Sequence, residues 1–294
     1  MGINVPAHYV TQYGTNVQLL LQQKGSKLRD TVTIGSHVGS AAVPVEQIGS
    51  IEAKVRAGRG SPVVFTDSPE TRRWVSPTDF DTDAEIIDKA DKLRMLIDPQ
   101  SSYVTNAVYA LGRKMDDVII AASTATASIG QTGTGTEAFS TATCQVGASV
   151  GGTNSGLNVA KLRKAKQILL ENFVDLDQEQ PTLVITARQH DDLLNEIQIV
   201  SSDFNPQPVL VDGSVTRFMG FNIKICQRLA FSTTRRVLAY VKSGIHLGMW
   251  NDIKTDVSER VDLVGRPTQV YAMGTFGATR IEQGRVIEIL CYES

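Results

Sequence analysis

Between Ser101 and Thr124 the apolar residues Val104, Val108, Leu111, Met115, Val118, Ile119 and Ala122 recur at spacings of three and four. That period puts them on one face of a helix about six turns long, with Arg113, Lys114, Asp116 and Asp117 largely off the stripe. Ser101 or Ser102 supplies an N-cap. A second helix is expected from about Leu157 to Asn172, with Leu162, Ala165, Ile168 and Leu169 inward and Lys161, Arg163, Lys164 and Lys166 on other faces. The run TLVI, Thr182 to Ile185, predicts a buried strand. Thr186 and Gln189 follow it with capping-box spacing and open a third helix, with Leu193, Leu194 and Ile197 inward.

A period of two appears from Gln47 to Arg59. Ile51, Ala53 and Val55 alternate with Glu52, Lys54 and Arg56, which predicts a strand with one wet face. The segment AGRGSP supplies turn residues, and VVFTDSPETRRWV returns as a second strand with Pro69 at an edge or bulge. The product is a charged hairpin with few residues for a core of its own. The chain before about Pro44 is rich in Gly, Ser, Thr and Val and reads as extended. Ala125 to Gly156 is dominated by Gly, Thr, Ser and Ala with almost no charge, which predicts a loop or irregular extended excursion with a surface or contact role. Toward the C-terminus, PVLVDGSVTRFMGFNIKI, RRVLAYVKSGIHLGMW and TRIEQGRVIEILCYE are strand-like runs broken by Gly turns.

Composition narrows the function classes. The chain has 294 residues, 41% hydrophobic and 20% charged, with a formal net charge of −2. These values are ordinary for a globular protein and give no global basic balance of the kind nucleic-acid binders show. Three widely spaced cysteines, Cys144, Cys226 and Cys291, do not make a disulfide framework and fit a reducing compartment. No apolar run approaches the roughly 20 residues of a membrane helix. The stretch VQLLLQQKGSKLRDTV near the start carries only Leu19, Leu20 and Leu21 as its apolar run, and Lys24, Lys27 and Arg29 follow it. A secretory signal needs a longer apolar region with its charges in front. What remains is an arm whose leucines must be buried somewhere.

A search for chemistry assigns no catalytic, cofactor-binding or metal residue. GASVG matches a nucleophile-elbow pattern around Ser149, but both flanks are Gly/Ser/Thr-rich rather than strand and helix. Asp79, Asp81 and Asp83 have D-x-D-x-D spacing, yet a calcium loop needs Gly and Glu where Ala84 and Ala90 stand. His8, His37, His190 and His246 are scattered, and His190 and Asp191 point in different directions on a helix. No phosphate-binding glycine motif occurs. Lys54, Arg56, Arg59, Arg72 and Arg73 cluster in the hairpin beside Trp74. They form either a solvated face or an interface of complementary charge, where Trp and Arg are enriched.

An arm, a charged hairpin, a long one-sided helix and a mixed α/β region ending in strands, in that order, resemble the major capsid protein of tailed bacteriophages. VQLLLQQKGSKLRDTVTIGS, RRWVSPTDFD, DKLRMLIDP, LVITARQHDDLLNE and VLVDGSVTRFMGFN carry the likeness, which covers nearly the whole chain. The resemblance implies an α+β fold of the Hong Kong 97 type. It would comprise an N-terminal arm (1–46), an E-loop hairpin (47–76), a P-domain with a spine helix over 101–124 (77–156), an A-domain (157–251) and C-terminal strands completing both (252–294). It implies a non-enzymatic shell protein without cofactor. Its partners would be further copies of itself in pentamers and hexamers, packaged double-stranded DNA, and a scaffolding, decoration or portal protein, but no membrane. The implied location is the virion, assembled in the host cytoplasm. Leu19, Leu20, Leu21, Lys54, Arg56, Arg59, Arg72, Arg73 and Trp74 are then the expected contacts between subunits, the arm packing on a neighbour. No long helical segment precedes the arm, so scaffolding is expected to be a separate protein or already removed. An encapsulin-type compartment shell, which shares the fold, is the alternative.

Overall fold

The computed structural model describes residues 21–39, 42–55, 58–59, 67–68, 70–83, 85–87, 100–150, 153–196 and 215–293. In chain order these form β1 (Thr33–Ser36), β2 (Val43–Ile48), β3 (Glu70–Val75), β4 (Thr78–Asp81), β5 (Glu85–Ile87), α1 (Gln100–Thr124), β6 (Ala127–Ile129) and β7 (Gly135–Glu137). There follow α2 (Thr141–Cys144), β8 (Gln145–Val146), α3 (Val159–Glu171), β9 (Thr182–Ile185), α4 (Ala187–Leu194), β10 (Arg217–Phe218) and β11 (Phe221–Ile225). The last elements are β12 (Thr234–Tyr240), β13 (Ile245–Glu259), β14 (Thr268–Arg280) and β15 (Val286–Tyr292). The chain divides into two interleaved units. One takes Met1–Ser26, Asp79–Arg113 and Asn251–Thr275, and the other takes Lys27–Thr78, Lys114–Trp250 and Phe276–Ser294.

The larger unit is built on a sheet in the order β10-β11-β9-β12-β15-β8, mixed in direction: β9 runs parallel to β11 and antiparallel to β12. All four residues of β9 are buried, as its uninterrupted apolar run requires of a strand covered on both faces. Val237 to Tyr240 of β12 and Val286, Ile287 and Ile289 of β15 complete this core. Helix α3 adds Leu162, Ala165, Ile168 and Leu169, the inward face expected from its period. Lys161 departs from expectation. It is fully buried, and its ammonium donates to the carbonyls of Ser155 at 2.6 Å, Gly156 at 2.8 Å and Leu290 at 3.0 Å. A buried cation persists only where such acceptors replace its water. Burial still lowers its pKa, against the opposing influence of Cys291 and Asp192. The capping box of Thr186 and Gln189 forms as expected, but α4 stops at Leu194. Leu193 is buried, Leu194 is only half-buried, and Ile197 lies outside the described residues.

Helix α1 confirms part of its stripe. Leu111, Met115, Ile119 and Ala122 are buried, whereas Val104, Val108 and Val118 are half-exposed. The correction is Asp116, which sits on the buried face with no exposure at all. Its carboxylate accepts the backbone N–H groups of Lys27 and Leu28, each at 3.1 Å. Leu28, one residue into this contact, is itself completely buried. The smaller unit has a close approach of its own at Gly112. A Cβ there would stand 2.7 Å from the backbone of Gly25 and Ser26, so only glycine lets the two backbones approach. Arg113 adds hydrogen bonds to Gln22 Oε1 at 2.7 Å and to the Gln23 carbonyl at 3.2 Å.

Past Leu28 the chain enters β1, which runs parallel to β13 from Thr33 opposite His246 to Ser36 opposite Met249. The fold here unites two histidines that lie far apart in sequence. His37 Nε2 and His246 Nε2 are 3.1 Å apart, and the Trp250 ring lies 5.0 Å from His37. Gly35 and Gly248 make room for the rings: a Cβ on either would fall within 3 Å of an imidazole. Burial, and secondarily the charge of His37, lowers the pKa of His246 to about 4.

Two outcomes follow. Replacing Asp116 by Ala strands two N–H donors, one of them buried, and should destabilise the soluble subunit by about 1–3 kcal/mol in urea titrations. The histidine pair sets a pH window. Because the folded pKa of His246 lies below its ordinary value of 6.5, the stability it contributes is complete above about pH 6.5 and is lost as pH falls toward 4. The fall in melting temperature across that window should be steeper in the wild type than in His246→Asn, and parallel curves would refute the assignment.

Candidate assembly interface

The hairpin is rooted in a second sheet of the larger unit, ordered β2-β3-β6-β7. β2 and β3 pair antiparallel from Val43 opposite Val75 to Ile48 opposite Glu70. The strand expected over 47–59 is therefore displaced: its ladder starts earlier and stops at Ile48, where Gly49 and Ser50 follow. Residues 51–55 are all exposed and belong to no strand, so the alternation there has no covered face. The Gly/Thr-rich segment is also corrected. It is not a free excursion, because β6 and β7 extend this sheet and β8 closes the edge of the other by pairing with β15.

The basic cluster is divided by this sheet. Arg72 reaches Glu46 directly across the ladder at 2.8 Å on the exposed face. Arg73 points the other way and is buried, with Nη1 2.5 Å from Glu137 Oε2 and Nε donating to the Ile281 carbonyl at 2.8 Å. Burial alone would raise the Glu137 carboxyl. The hydrogen bond and charge of Arg73, with Gln283 and Arg280 behind, hold it below the usual carboxylate range. Arg280, almost completely buried, donates to the carbonyls of Ser123 and Ala125 and so caps the end of α1. Trp74 donates from Nε1 to the Gly130 carbonyl at 2.8 Å and lies against Gly133 in the β6–β7 turn. Arg73 and Trp74, expected to face a neighbour, thus spend their polar groups inside their own subunit. A period of two placed Arg72 and Arg73 on opposite faces but could not say which face was covered.

Lys54 and Arg59 remain exposed toward the hairpin tip; Arg56 lies outside the described residues. They are accompanied by apolar side chains left in water: Ile48, Ile51 and Val55, the last 97% exposed. In the arm, Leu21 is fully exposed, and Leu19 and Leu20 lie outside the described residues. The smaller unit adds a patch that the sequence pattern did not single out. β13 and β14 are joined by residues 260–267, closed by the Arg260 N–H donating to the Pro267 carbonyl at 2.9 Å. Val261, Leu263 and Val264 stand exposed there. The run VDLVGRP is too short to show a period.

The motifs weighed for chemistry fall apart in three dimensions. Ser149 is exposed in a turn after the two-residue β8. His190 accepts the Val215 N–H through Nε2 at 3.1 Å. Asp79 accepts the Thr275 hydroxyl at 2.7 Å. Among the described residues, apolar and charged side chains stay exposed at Leu21, residues 48–55, Arg59 and residues 261–264.

The comparisons agree. A family model described as phage capsid protein matches residues 5–293, and the chain belongs to that family. The fold is similar to that of the cyanophage P-SCSP1u capsid, with a TM-score of 0.73 and 12% identity over 98% of this chain and 94% of that one. It is similar to the cyanophage Pam1 capsid, with a TM-score of 0.71 and 12% identity over 99% and 98%. The bacteriophage PhiM1 mature capsid gives 0.68 and 11% over 95% and 90%. No curated protein matches the sequence. The architecture is thus the α+β capsid fold of the Hong Kong 97 type, and the protein is a structural, major capsid protein of a bacteriophage; the encapsulin alternative is not favoured.

The split of the basic pair is measurable. Arg73→Ala should lower subunit stability by about 1.5–3 kcal/mol in urea unfolding, since it breaks charged hydrogen bonds in a buried site. Arg72→Ala should cost less than about 1 kcal/mol, as exposed ion pairs do.

Proposed function

We propose that this chain closes an icosahedral shell of pentamers and hexamers around double-stranded DNA, using its arm and hairpin tip as the contacts between subunits. In this reading 1–46 is the arm, 47–76 the E-loop, 77–156 with α1 the P-domain, 157–251 the A-domain, and 252–294 completes both. The observation that carries it is the apolar surface left in water: Leu21 in the arm and Ile51 and Val55 on the hairpin. Burying one such side chain is worth about 1.5–3 kcal/mol. The subunit forgoes that gain, and a neighbour repeated at every position of a shell supplies it. Lys54, Arg59 and the outer-face Arg72 add charge to the same projection and would meet acids of the adjacent subunit. Lys24 lies beside the arm leucines and would meet either a neighbour or packaged DNA, whose phosphates make a contact salt-sensitive. Assembly in the host cytoplasm, with scaffolding and portal proteins as separate partners, completes the proposal.

Expression of the chain, sedimentation and imaging test it directly. Closed particles are expected, with nucleic acid in those recovered from phage; a chain that stays monomeric under all conditions would sink the shell reading. Lys54→Glu combined with Arg59→Glu should leave subunit helix content unchanged and lower particle yield about tenfold. Normal yield from that variant would remove the hairpin charges from the interface.

A further inference from the structure

Helix α3 ends in a way that its own subunit does not explain. Asn172 is the C-cap, and the next residue, Phe173, has φ +58. The Phe173 N–H donates to the Leu170 carbonyl at 3.0 Å and the Val174 N–H to the Leu169 carbonyl at 3.1 Å. This is the Schellman arrangement, whose left-handed position is usually glycine because a Cβ is strained there. Here it carries a phenylalanine whose side chain is 96% exposed. Glycine would relieve the backbone and any polar residue would suit the water, so the position bears two costs at once. Leu170, one turn back, is also exposed and widens the apolar knob.

The charges around the knob change sign along the chain, with the exposed Glu171 standing between Leu170 and Phe173. On the helix side Arg163 and Lys164 are exposed, and among the described residues neither has a carboxylate partner in the subunit. On the far side Asp175 and Asp177 are exposed. The loop carrying them is held in shape, because Asp175 Oδ1 accepts the backbone N–H groups of Asp177 at 3.0 Å and Gln178 at 3.3 Å. In chain order the segment therefore runs from basic, through the apolar knob, to acidic. A second copy of the same surface can set its acidic flank against the basic flank of the first, with the aromatic ring between them. A polyanion would meet the acidic flank and a generic apolar partner would leave both flanks unpaired.

We propose that the end of α3, with Phe173 and Leu170 as anchor and Arg163 and Asp177 as complementary flanks, is a self-contact that joins neighbouring copies of this chain. The inference rests on the shell reading and names one of its contacts, separate from the arm and the hairpin. Strain and exposure at Phe173 are then costs of the free subunit, offset when a neighbour covers the ring.

Four proteins in one set of gradients test it: the wild type, Phe173→Gly, Asp177→Lys, and Asp177→Lys combined with Arg163→Glu. Phe173→Gly relieves the left-handed strain, so the subunit's melting temperature should rise by about 2 °C. The same change should lower the fraction sedimenting as particles about tenfold. Asp177→Lys should impair assembly to a similar degree, and adding Arg163→Glu should restore most of it, because each flank then meets its opposite again. Phe173→Gly assembling like the wild type would overturn the proposal. So would a charge reversal that its compensating change fails to rescue, which would assign the patch to a different partner. Either of those results with wild-type particles present leaves the shell reading intact; a wild type that forms no particles ends both.

Discussion

One buried carboxylate organises the path of the chain. Asp116 lies on the covered face of α1 with no exposure and is satisfied by two backbone N–H groups, those of Lys27 and Leu28. A buried carboxylate needs hydrogen-bond donors, and the incoming chain supplies two of them. The contact fixes where Leu28 enters the core, and from that point β1 can lie only along β13, where the histidine pair and two glycines complete the fit. Upstream of this contact Leu21 is fully exposed.

The subunit keeps two classes of polar group apart. Those covered at junctions find partners within the subunit: Lys161 in three carbonyls, Arg280 at the end of α1, Arg73 in Glu137 and the Ile281 carbonyl, and the half-buried Glu293 in Arg235 and Gln189. These groups lock strands and helix ends together within one chain. The second class, Lys54, Arg59, Arg163 and Asp177, lies on projections beside exposed apolar residues. In the shell proposed above, a neighbour would cover Val55 and Phe173, and the charge beside them would set the register of that contact.

Much of this was legible from the residues. The period of three and four marked α1 and α3 and most of their buried positions, TLVI marked the doubly covered strand, and Thr186 with Gln189 marked a helix start. Such signals are local, because they depend on the geometry of a single turn or strand. The order of the segments pointed to the capsid fold, and the family match over residues 5–293 agrees with it. The β6–β7 extension was not legible, since a Gly/Thr-rich strand has no apolar period and exists only because β3 offers it an edge.

The sequence by itself determined the strongly periodic elements, α1, α3 and β9, and most of the apolar residues they bury, because periodicity acts within a few residues of chain. Only the tertiary structure decided the fate of the polar groups. Asp116 was read as exposed and is buried, Lys161 likewise, and Arg73 turned from a neighbour's surface into its own core. In each case at least one partner lies far away in sequence: 89 positions separate Lys27 from Asp116, 129 separate Lys161 from Leu290, and 208 separate Arg73 from Ile281. A charged side chain may occupy a buried face only when such a partner arrives, and its arrival depends on how the whole chain is threaded. The same threading brought His37 to His246 across 209 positions and left Phe173 with no cover at all.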